Sequence, residues 1–369
     1  MRLPGRPPNL AWEDRRGERL ALNPLSIPLL SPDQALGPTA IALGSFDGLH
    51  RGHRRVIAAV TAEAARNQDG GDAAVPSVVS FWPHPREVLH GETRLRLDLP
   101  EEKLDLLAPL GIRQLVLIPF TLDLAALSPE AFVRTVLIDQ LQARLVAVGE
   151  NFRFGAGRSG SAADLARIGA DGGIAVRVLP MLWDGAERVS SSRIRRALVG
   201  GDLEEAARLL ERPYRFAGRV VPGKGLGRQL GWPTANLLVD GRKFLPAEGV
   251  YAVWVRQAGN PGLPQPGVMN LGPQPTIDPE SPSAVEVHLL AGATDTAGGR
   301  VAVDGGAAEQ TSVPDLRGAL LNVEPVRLLR QQRRFSGLEE LKTAIAADAA
   351  AARRILAAAA AAGPLQPPA

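Results

Sequence analysis

From Thr39 onward, apolar residues arrive in short blocks separated by stretches of helical periodicity. Thr39–Leu43 is a continuous run of buried-strand length, and Arg54–Val60 behind it has the spacing of an amphipathic helix. The pair of patterns then repeats. Ser77–Phe81 reads as a strand, Glu101–Leu110 as a helix, Gln114–Ile118 as a strand, and Pro129–Leu141 as a helix with proline in its first turn. Leu145–Val148, Ala162–Gly169 and Ile174–Val178 continue as strand, helix and strand. Trp82-Pro83-His84-Pro85 is predicted to lie outside any helix, because proline lacks the donor and clashes with the preceding turn. Short apolar runs alternating with helices predict a parallel, doubly wound α/β sheet with ligands at the carboxyl ends of its strands.

Beyond Glu211-Arg212-Pro213 the texture changes. Phe216–Val221, Gly249–Val255, Val285–Leu290 and Leu321–Leu328 are short strand-like runs separated by Gly, Pro and Asn. Their spacing predicts a small antiparallel barrel. A helix from Leu338 to about Ala361 closes the pattern, its Ala-rich end high in helix propensity but poor in groups to bury. The predicted organisation is an extension over 1–38, with a short packed segment at Ser31–Leu36, then domains over 39–211 and 212–355, and a tail over 356–369.

Composition narrows the classes. A chain of 369 residues with 45% hydrophobic content favours two domains with packed cores. The absence of cysteine excludes disulfides and thiol catalysis and suits a cytoplasmic protein. No apolar run approaches the roughly 20 residues of a membrane helix, and no apolar signal core follows Arg2 and Arg6. A formal charge of +3 and an aromatic content of 4% argue against nucleic acid as a partner, since neither a basic stripe nor a stacking platform is present. Oligomeric state is left open.

The densest candidate chemistry is Gly44-Ser45-Phe46-Asp47-Gly48-Leu49-His50-Arg51-Gly52-His53. Strand, glycine-bearing loop and helix bring free backbone N–H groups and the positive end of a helix dipole beside a phosphate. His50 and His53 add side-chain donors at the same place. A plain strand-to-helix turn and a zinc site are the alternatives, the latter without cysteine or a third ligand at nearby spacing. Gly149–Gly155 also follows a strand and can line the same crevice. Ser190-Ser191-Ser192-Arg193-Ile194-Arg195 opens a helix, either as a simple capping cluster or as a cradle for a triphosphate.

In the second half, Gly223-Lys224-Gly225-Leu226-Gly227-Arg228 is a glycine loop with two cations and no Walker ending. It leads into Pro233-Thr234-Ala235-Asn236, where Thr234 and Asn236 offer neutral oxygens of the kind magnesium accepts beside phosphates. An Asn-capped turn is the plainer reading. In Val285–Leu290 the alternation puts Glu286, His288 and Leu290 on one face, where a carboxylate could take a proton from a hydroxyl nucleophile, or simply be solvated.

Taken together these motifs resemble the prokaryotic bifunctional riboflavin kinase/FAD synthetases over roughly residues 39–355. Gly-Ser-Phe-Asp-Gly-Leu-His-Arg-Gly-His, Ser-Phe-Trp-Pro-His-Pro-Arg, Gly-Glu-Asn-Phe-Arg-Phe-Gly, Ser-Ser-Ser-Arg-Ile-Arg, Pro-Thr-Ala-Asn and Glu-Val-His-Leu-Leu follow in the family's order. The resemblance implies an α/β doubly wound nucleotidylyltransferase domain, then a small six-stranded antiparallel β-barrel kinase domain with a C-terminal helix. The first would transfer AMP from ATP to FMN, and the second would phosphorylate riboflavin, both with Mg²⁺. By resemblance His50 and His53 are catalytic. Gly44, Phe46, Asp47, Gly52, Asn151, Ser190, Ser191, Ser192 and Arg195 would bind nucleotide in the first domain. Gly223, Lys224, Gly225 and Arg228 would do so in the second. Phe81, His84, Pro85, Arg86 and Arg330 would lie near flavin, Thr234 and Asn236 would hold the metal, and Glu286 would be the kinase base.

The chain departs from the family after Leu290. Ala291 and Gly292 stand where an Asp and then Asp-Leu-Tyr-Gly are usual, and Asp315-Leu316-Arg317-Gly318 follows about two dozen residues later with Arg for Tyr. Ser161 replaces a common Asp. The intervening 291–314 has three valines as its anchors, too little apolar surface to order it, so it is expected to loop out from the barrel. Rival readings are a chain with one active half, a flavin-binding regulator without turnover, or a superfamily transferase acting on pantetheine phosphate or a choline-like substrate.

Overall fold

The computed structural model describes residues 27–66, 73–223, 227, 231–260, 262–272, 284–290 and 316–361. The expectations placed on Lys224, Gly225, Arg228, Asp315 and the 291–314 stretch, and on most of the N-terminal extension and the last residues of the tail, lie outside them.

Contacts divide the chain into two compact units that meet between Ser191 and Ser192. In the first, β1 (Leu29–Leu30), β2 (Thr39–Leu43), β3 (Val75–Trp82), β4 (Gln114–Pro119), β5 (Ala143–Gly149) and β8 (Ala175–Leu179) form one sheet in the order β1-β4-β3-β2-β5-β8. Its ladders are parallel. The alternation of side chains splits each strand between two cores. Ala40, Ala42, Val78, Leu115, Leu117, Leu145 and Ala147 face one side, with α1 (Arg51–Arg66) and α3 (Pro100–Leu107). Ile41, Leu43, Val79, Val116, Ile118, Val146 and Val148 face the other, with Phe132, Val136 and Leu165. Strands buried on both faces read as unbroken apolar runs, which is why the sheet was legible. The strand order reverses at β2, the place where α/β sheets open a crevice for ligands.

Two local expectations are corrected. Pro85 does enter a helix: it is the first residue of α2 (Pro85–His90), with His84 as N-cap. The missing proline donor costs nothing in a first turn, where the N–H would have no intrahelical partner. The helix expected over Pro129–Leu141 is α-helical only as α5 (Pro129–Phe132), after α4 (Leu122–Ala125), and continues with π winding over Val133–Gln140. The rest of the unit comprises the hairpin β6 (Arg153–Phe154) and β7 (Gly160–Ser161), α6 (Ala162–Asp171), and the hairpin β9 (Trp183–Asp184) and β10 (Glu187–Arg188).

In the second unit, among the described residues, six strands close into a barrel: β11 (Phe216–Val221), β12 (Ala235–Val239), β13 (Gly249–Gln257), β14 (Gln265–Gly272), β15 (Ala284–Leu289) and β16 (Leu320–Arg330). They pair antiparallel. Tyr251, Val253, Met269, Val287 and Val323 are fully or almost fully buried. The closing helix, here α9 (Leu338–Ala361), lays Ala349, Ala352 and Leu356 on Ala252, Leu290 and Trp254. Two helices precede the barrel in the same unit, α7 (Ser191–Val199) and α8 (Leu203–Leu210). Gly201, at φ 73°, is pressed against Leu328 so closely that a Cβ would come within 2.8 Å of it. The Ala247 N–H donates to the Leu198 carbonyl at 3.0 Å.

That packing has a consequence for where the second unit can be cut. Leu198, Leu203, Leu209 and Leu210 are all buried, and each buried leucine contributes about 1.5–3 kcal/mol. A fragment starting at Ser192 is expected to melt well above one starting at Arg212, as followed by a thermal melt of each. Equal melting temperatures would show that α7 and α8 add nothing to the barrel.

Candidate active sites

The first site is built by the turn from β2 into α1. Gly48 takes φ 93°, and Phe46 and Leu49 are both left-handed at φ 45° without being glycine. Such conformations persist where surrounding structure holds them, and the loop is held from several sides. Phe46 and Leu49 are buried at 2% and 1% exposure. The Asp47 carboxylate accepts from the Leu97 N–H at 2.8 Å, and the Asp47 carbonyl accepts from Ser191 Oγ at 2.7 Å. Ser80 Oγ donates to the Ser45 carbonyl at 3.3 Å. With their side chains turned inward, Phe46 and Asp47 can offer a nucleotide only backbone groups. Gly52 is narrow for its own reason: a Cβ there would lie 3.2 Å from the His50 ring.

His50 and His53 are brought together, their rings stacked at 3.6 Å with Phe46 edge-on to His53 at 5.2 Å. His50 Nδ1 accepts from the His53 N–H at 3.3 Å, so Nε2 carries its proton. Burial pushes the His50 imidazole down to about 4, although the Asp47 carboxylate pulls the other way. Burial, then His50 and Lys103, hold His53 well below the usual imidazole range. Both rings are therefore neutral at neutral pH, each offering one donor rather than a positive charge. His53 Nδ1 is buried without a hydrogen-bond partner among the described residues, a polar atom that an incoming group could satisfy.

The remaining residues predicted for this site lie on several elements. Asn151 follows β5, its Oδ1 close over Gly149. Phe81 packs on Phe120 and Phe132 at 5.8 and 6.3 Å. His84 caps α2, and burial, reinforced by Arg96, lowers its pKa to about 4. Arg86 is paired with Glu92 at 3.1 Å. Ser190 and Ser191 belong to this unit, while Ser192 and Arg195 belong to the second, where the Arg195 guanidinium lies 5.5 Å over the Phe244 ring.

Sequence reasoning passed over a set of charges beneath the loop. Arg96 is 4% exposed, 2.6 Å from Glu87 and 5.1 Å over the Trp82 ring. Asp98 and Lys103 are also buried. One signal was available: α3 buries Pro100, Lys103, Leu104 and Leu107, so Lys103 stands on the apolar stripe of its helix.

The second site lies on the outer face of the barrel. Register places Asn236 beside Glu286 across β12 and β15, and Glu286 beside Asn270 across β15 and β14. Asn270 Oδ1 in turn accepts from Gln332 Nε2 at 2.6 Å. Neither Asn270 nor Gln332 was singled out from sequence, because cross-strand neighbours are known only once register is. Gly223 and Gly227 press on the same face. A Cβ at Gly223 would lie 2.0 Å from Asn236 Nδ2, and one at Gly227 3.0 Å from Thr234 Oγ1. Only glycine allows that approach. Thr234 and Asn236 are thus joined to these two glycines and to Glu286, as a hydroxyl, an amide oxygen and a carboxylate. His288 is committed elsewhere, with Nδ1 2.7 Å from the Pro233 carbonyl and its ring edge-on to Trp232. Arg330 is bound to Asp348 of α9 at 2.9 Å and lies 5.3 Å over Phe335, so the structure ties it to the closing helix. Among the described residues no cluster of His, Asp or Glu could hold a metal by itself. The oxygen set of Thr234 and Asn236 fits a cation that keeps phosphate and water as most of its shell.

Comparison with known proteins matches each half separately. A family model described as FAD synthetase matches residues 33–193, and one described as riboflavin kinase matches 210–356. A bifunctional riboflavin kinase/FMN adenylyltransferase of Pseudomonas fluorescens is 38% identical over 310 residues, covering 84% of this chain and 90% of the relative. That of Escherichia coli K12 is 35% identical over the same shares. A crystal structure described as a macrolide-efflux protein from Streptococcus pneumoniae superposes with TM-score 0.71 at 25% identity, covering 89% of this chain and 99% of that one. Among the described residues no helix is long and apolar enough to cross a membrane.

Proposed function

The chain belongs to the family of bifunctional riboflavin kinase/FMN adenylyltransferases, and we propose that each compact unit carries one of the two reactions. As such an enzyme it phosphorylates riboflavin to FMN with ATP and then adenylylates FMN to FAD with release of pyrophosphate. The observation that carries the division is the coincidence of two matches with two constellations. The FAD synthetase match contains His50, His53, Ser190 and Ser191; the riboflavin kinase match contains Thr234, Asn236 and Glu286.

In the first unit no covalent nucleophile is required, because the FMN phosphate attacks the α-phosphorus of ATP. Catalysis is positioning and charge stabilisation. The N–H groups of the Gly44–Gly52 turn and the start of α1 would receive the triphosphate, with His50 and His53 as neutral donors. Ser190 and Ser191 would complete the cradle, and Asn151 the nucleotide contact. Phe81, His84, Pro85 and Arg86 would lie near FMN.

In the second unit Glu286 would take the proton from the terminal ribityl hydroxyl as it attacks the γ-phosphorus. Thr234 and Asn236 would hold Mg²⁺, which when bound offsets charge on the phosphate oxygens. Gly223, with Lys224, Gly225 and Arg228, would cover the nucleotide, and Arg330 would lie on the flavin side. The enzyme would work in the cytoplasm on small molecules, without nucleic acid or membrane.

The test is to incubate the protein with riboflavin, ATP and Mg²⁺ and to separate riboflavin, FMN and FAD over time. FMN should rise first and FAD follow. Failure to make FAD from supplied FMN would sink the adenylyltransferase half; failure to consume riboflavin, the kinase half.

The histidine environment adds a pH expectation. With His50 held at about 4 rather than the ordinary 6.5, the neutral form needed for acceptance at Nδ1 is lost only as pH falls toward that lower value. The kcat/KM for FAD formation, once corrected for the second ionisation of the FMN and ATP phosphates at about pH 6, reports the free enzyme and should stay level from neutral pH down to about pH 5. A half-maximal fall near 6.5 would show that the pair titrates as ordinary exposed imidazole.

A further inference from the structure

A leucine at position 103 would complete the buried stripe of α3 at no desolvation cost. The chain has a lysine there, and it is 6% exposed. Removing an ammonium from water is costly unless its surroundings compensate, so what it faces is informative. Its Nζ is 3.4 Å from the Ser45 carbonyl, on the turn from β2 to α1. Burial is the largest influence and lowers its pKa below the ordinary lysine value, with Arg96 acting the same way, while the Asp47, Asp98 and Glu101 carboxylates pull back toward the charged form. Asp47 is at the same time the residue whose carboxylate accepts the Leu97 and Asp98 N–H groups. The lysine therefore stands behind the strained turn, holding one carbonyl of it directly and neutralising the carboxylate that fastens it.

We propose that Lys103 is a positioning residue for adenylyl transfer: its buried ammonium fixes the Ser45–Leu49 backbone, and with it the His50–His53 pair, in the arrangement that receives the triphosphate. The inference rests on the reading of the first unit as an FMN adenylyltransferase. The turn needs such fixing, because Phe46 and Leu49 adopt positive φ without glycine, a strained conformation that persists only where surrounding structure holds it. The ammonium also bears on the histidines. The charged or titratable groups facing His53 are His50 and Lys103, and both oppose its protonation. Those facing His50 are Asp47, Arg188 and Asp98.

The experiment compares K103M and K103R with the unchanged full-length protein. FAD formation from FMN and ATP is measured for kcat, both KM values and the pH profile, with riboflavin phosphorylation on the same preparations as internal reference. K103M is expected to lose on the order of 10²-fold in kcat for FAD formation, with KM for ATP and FMN changed by less than about 3-fold. Its kinase rate should be unchanged. Its acid limb should move to higher pH, because His53 no longer faces a cation. K103R, which keeps the charge, should recover to within about 10-fold in kcat and keep the original acid limb.

A normal kcat in K103M would overturn the proposal. So would a rise of about 10-fold or more in either KM with kcat preserved, which would make Lys103 a ligand contact. Equal loss in K103M and K103R with no movement of the acid limb would assign it a purely structural role. So would joint loss of folded protein and kinase activity in both K103M and K103R. If the unchanged protein makes no FAD from FMN, the adenylyltransferase reading itself has failed; if it does and K103M matches it, only this inference has.

Discussion

His53→Ala is expected to lower FAD formation by about 10²–10³-fold, the usual effect of deleting one donor to developing phosphate charge. Formation of FMN from riboflavin should be untouched. His53 is the third residue of α1, stacked 3.6 Å from His50, with a buried Nδ1 that has no partner among the described residues. A group so placed gains little for the fold and much for a phosphate that arrives beside it. Its kinase counterpart, Glu286, belongs to the other compact unit, so the two rates should separate. Rates of FMN and FAD formation on the same preparation decide the matter. A parallel fall in both would mean that the ring supports the chain as a whole. His53→Asn serves as the companion variant, since it keeps a donor while removing most of the stacked ring.

Glu286→Gln should produce the mirror image, a kinase rate reduced by about 10²-fold or more with FMN adenylylation unchanged. Glutamine fills the same volume and still hydrogen-bonds, so the row Asn236–Glu286–Asn270 can persist, held at its far end by Gln332. What glutamine cannot do is accept the hydroxyl proton. Single-turnover phosphorylation of riboflavin isolates that step from product release. Near-normal turnover would place the base elsewhere. His288 shares the strand face, but its Nδ1 is already engaged with the Pro233 carbonyl, leaving only Nε2 for the task.

The periodic patterns determined most of the architecture. Runs such as Thr39–Leu43 and Gln114–Ile118 are apolar without interruption because both faces of the sheet are covered, and that is a property each strand carries in its own sequence. Phe216–Val221 alternates buried and half-buried positions and Leu338–Ala361 is an Ala-rich helical run, patterns that likewise lie within one stretch of chain. The ordered motifs also determined which turns carry chemistry, since a glycine beside a strand end and a histidine one turn into a helix are adjacent in the chain. What sequence left undecided depends on contacts between distant positions. Asn270 became a neighbour of Glu286 through barrel register. The prolines of Trp82–Pro85 argue against a helix, yet Pro85 opens α2, because capping by His84 and Glu87 is a matter of geometry rather than composition. The left-handed turn at Phe46 and Leu49 is held by Ser80, Leu97 and Ser191, up to 144 residues away in the chain. Lys103 shows the division most sharply. Its place on the buried stripe of α3 can be read from four residues of one helix, but that its ammonium meets the Ser45 carbonyl, 58 residues earlier, was decided only when the sheet brought the two together.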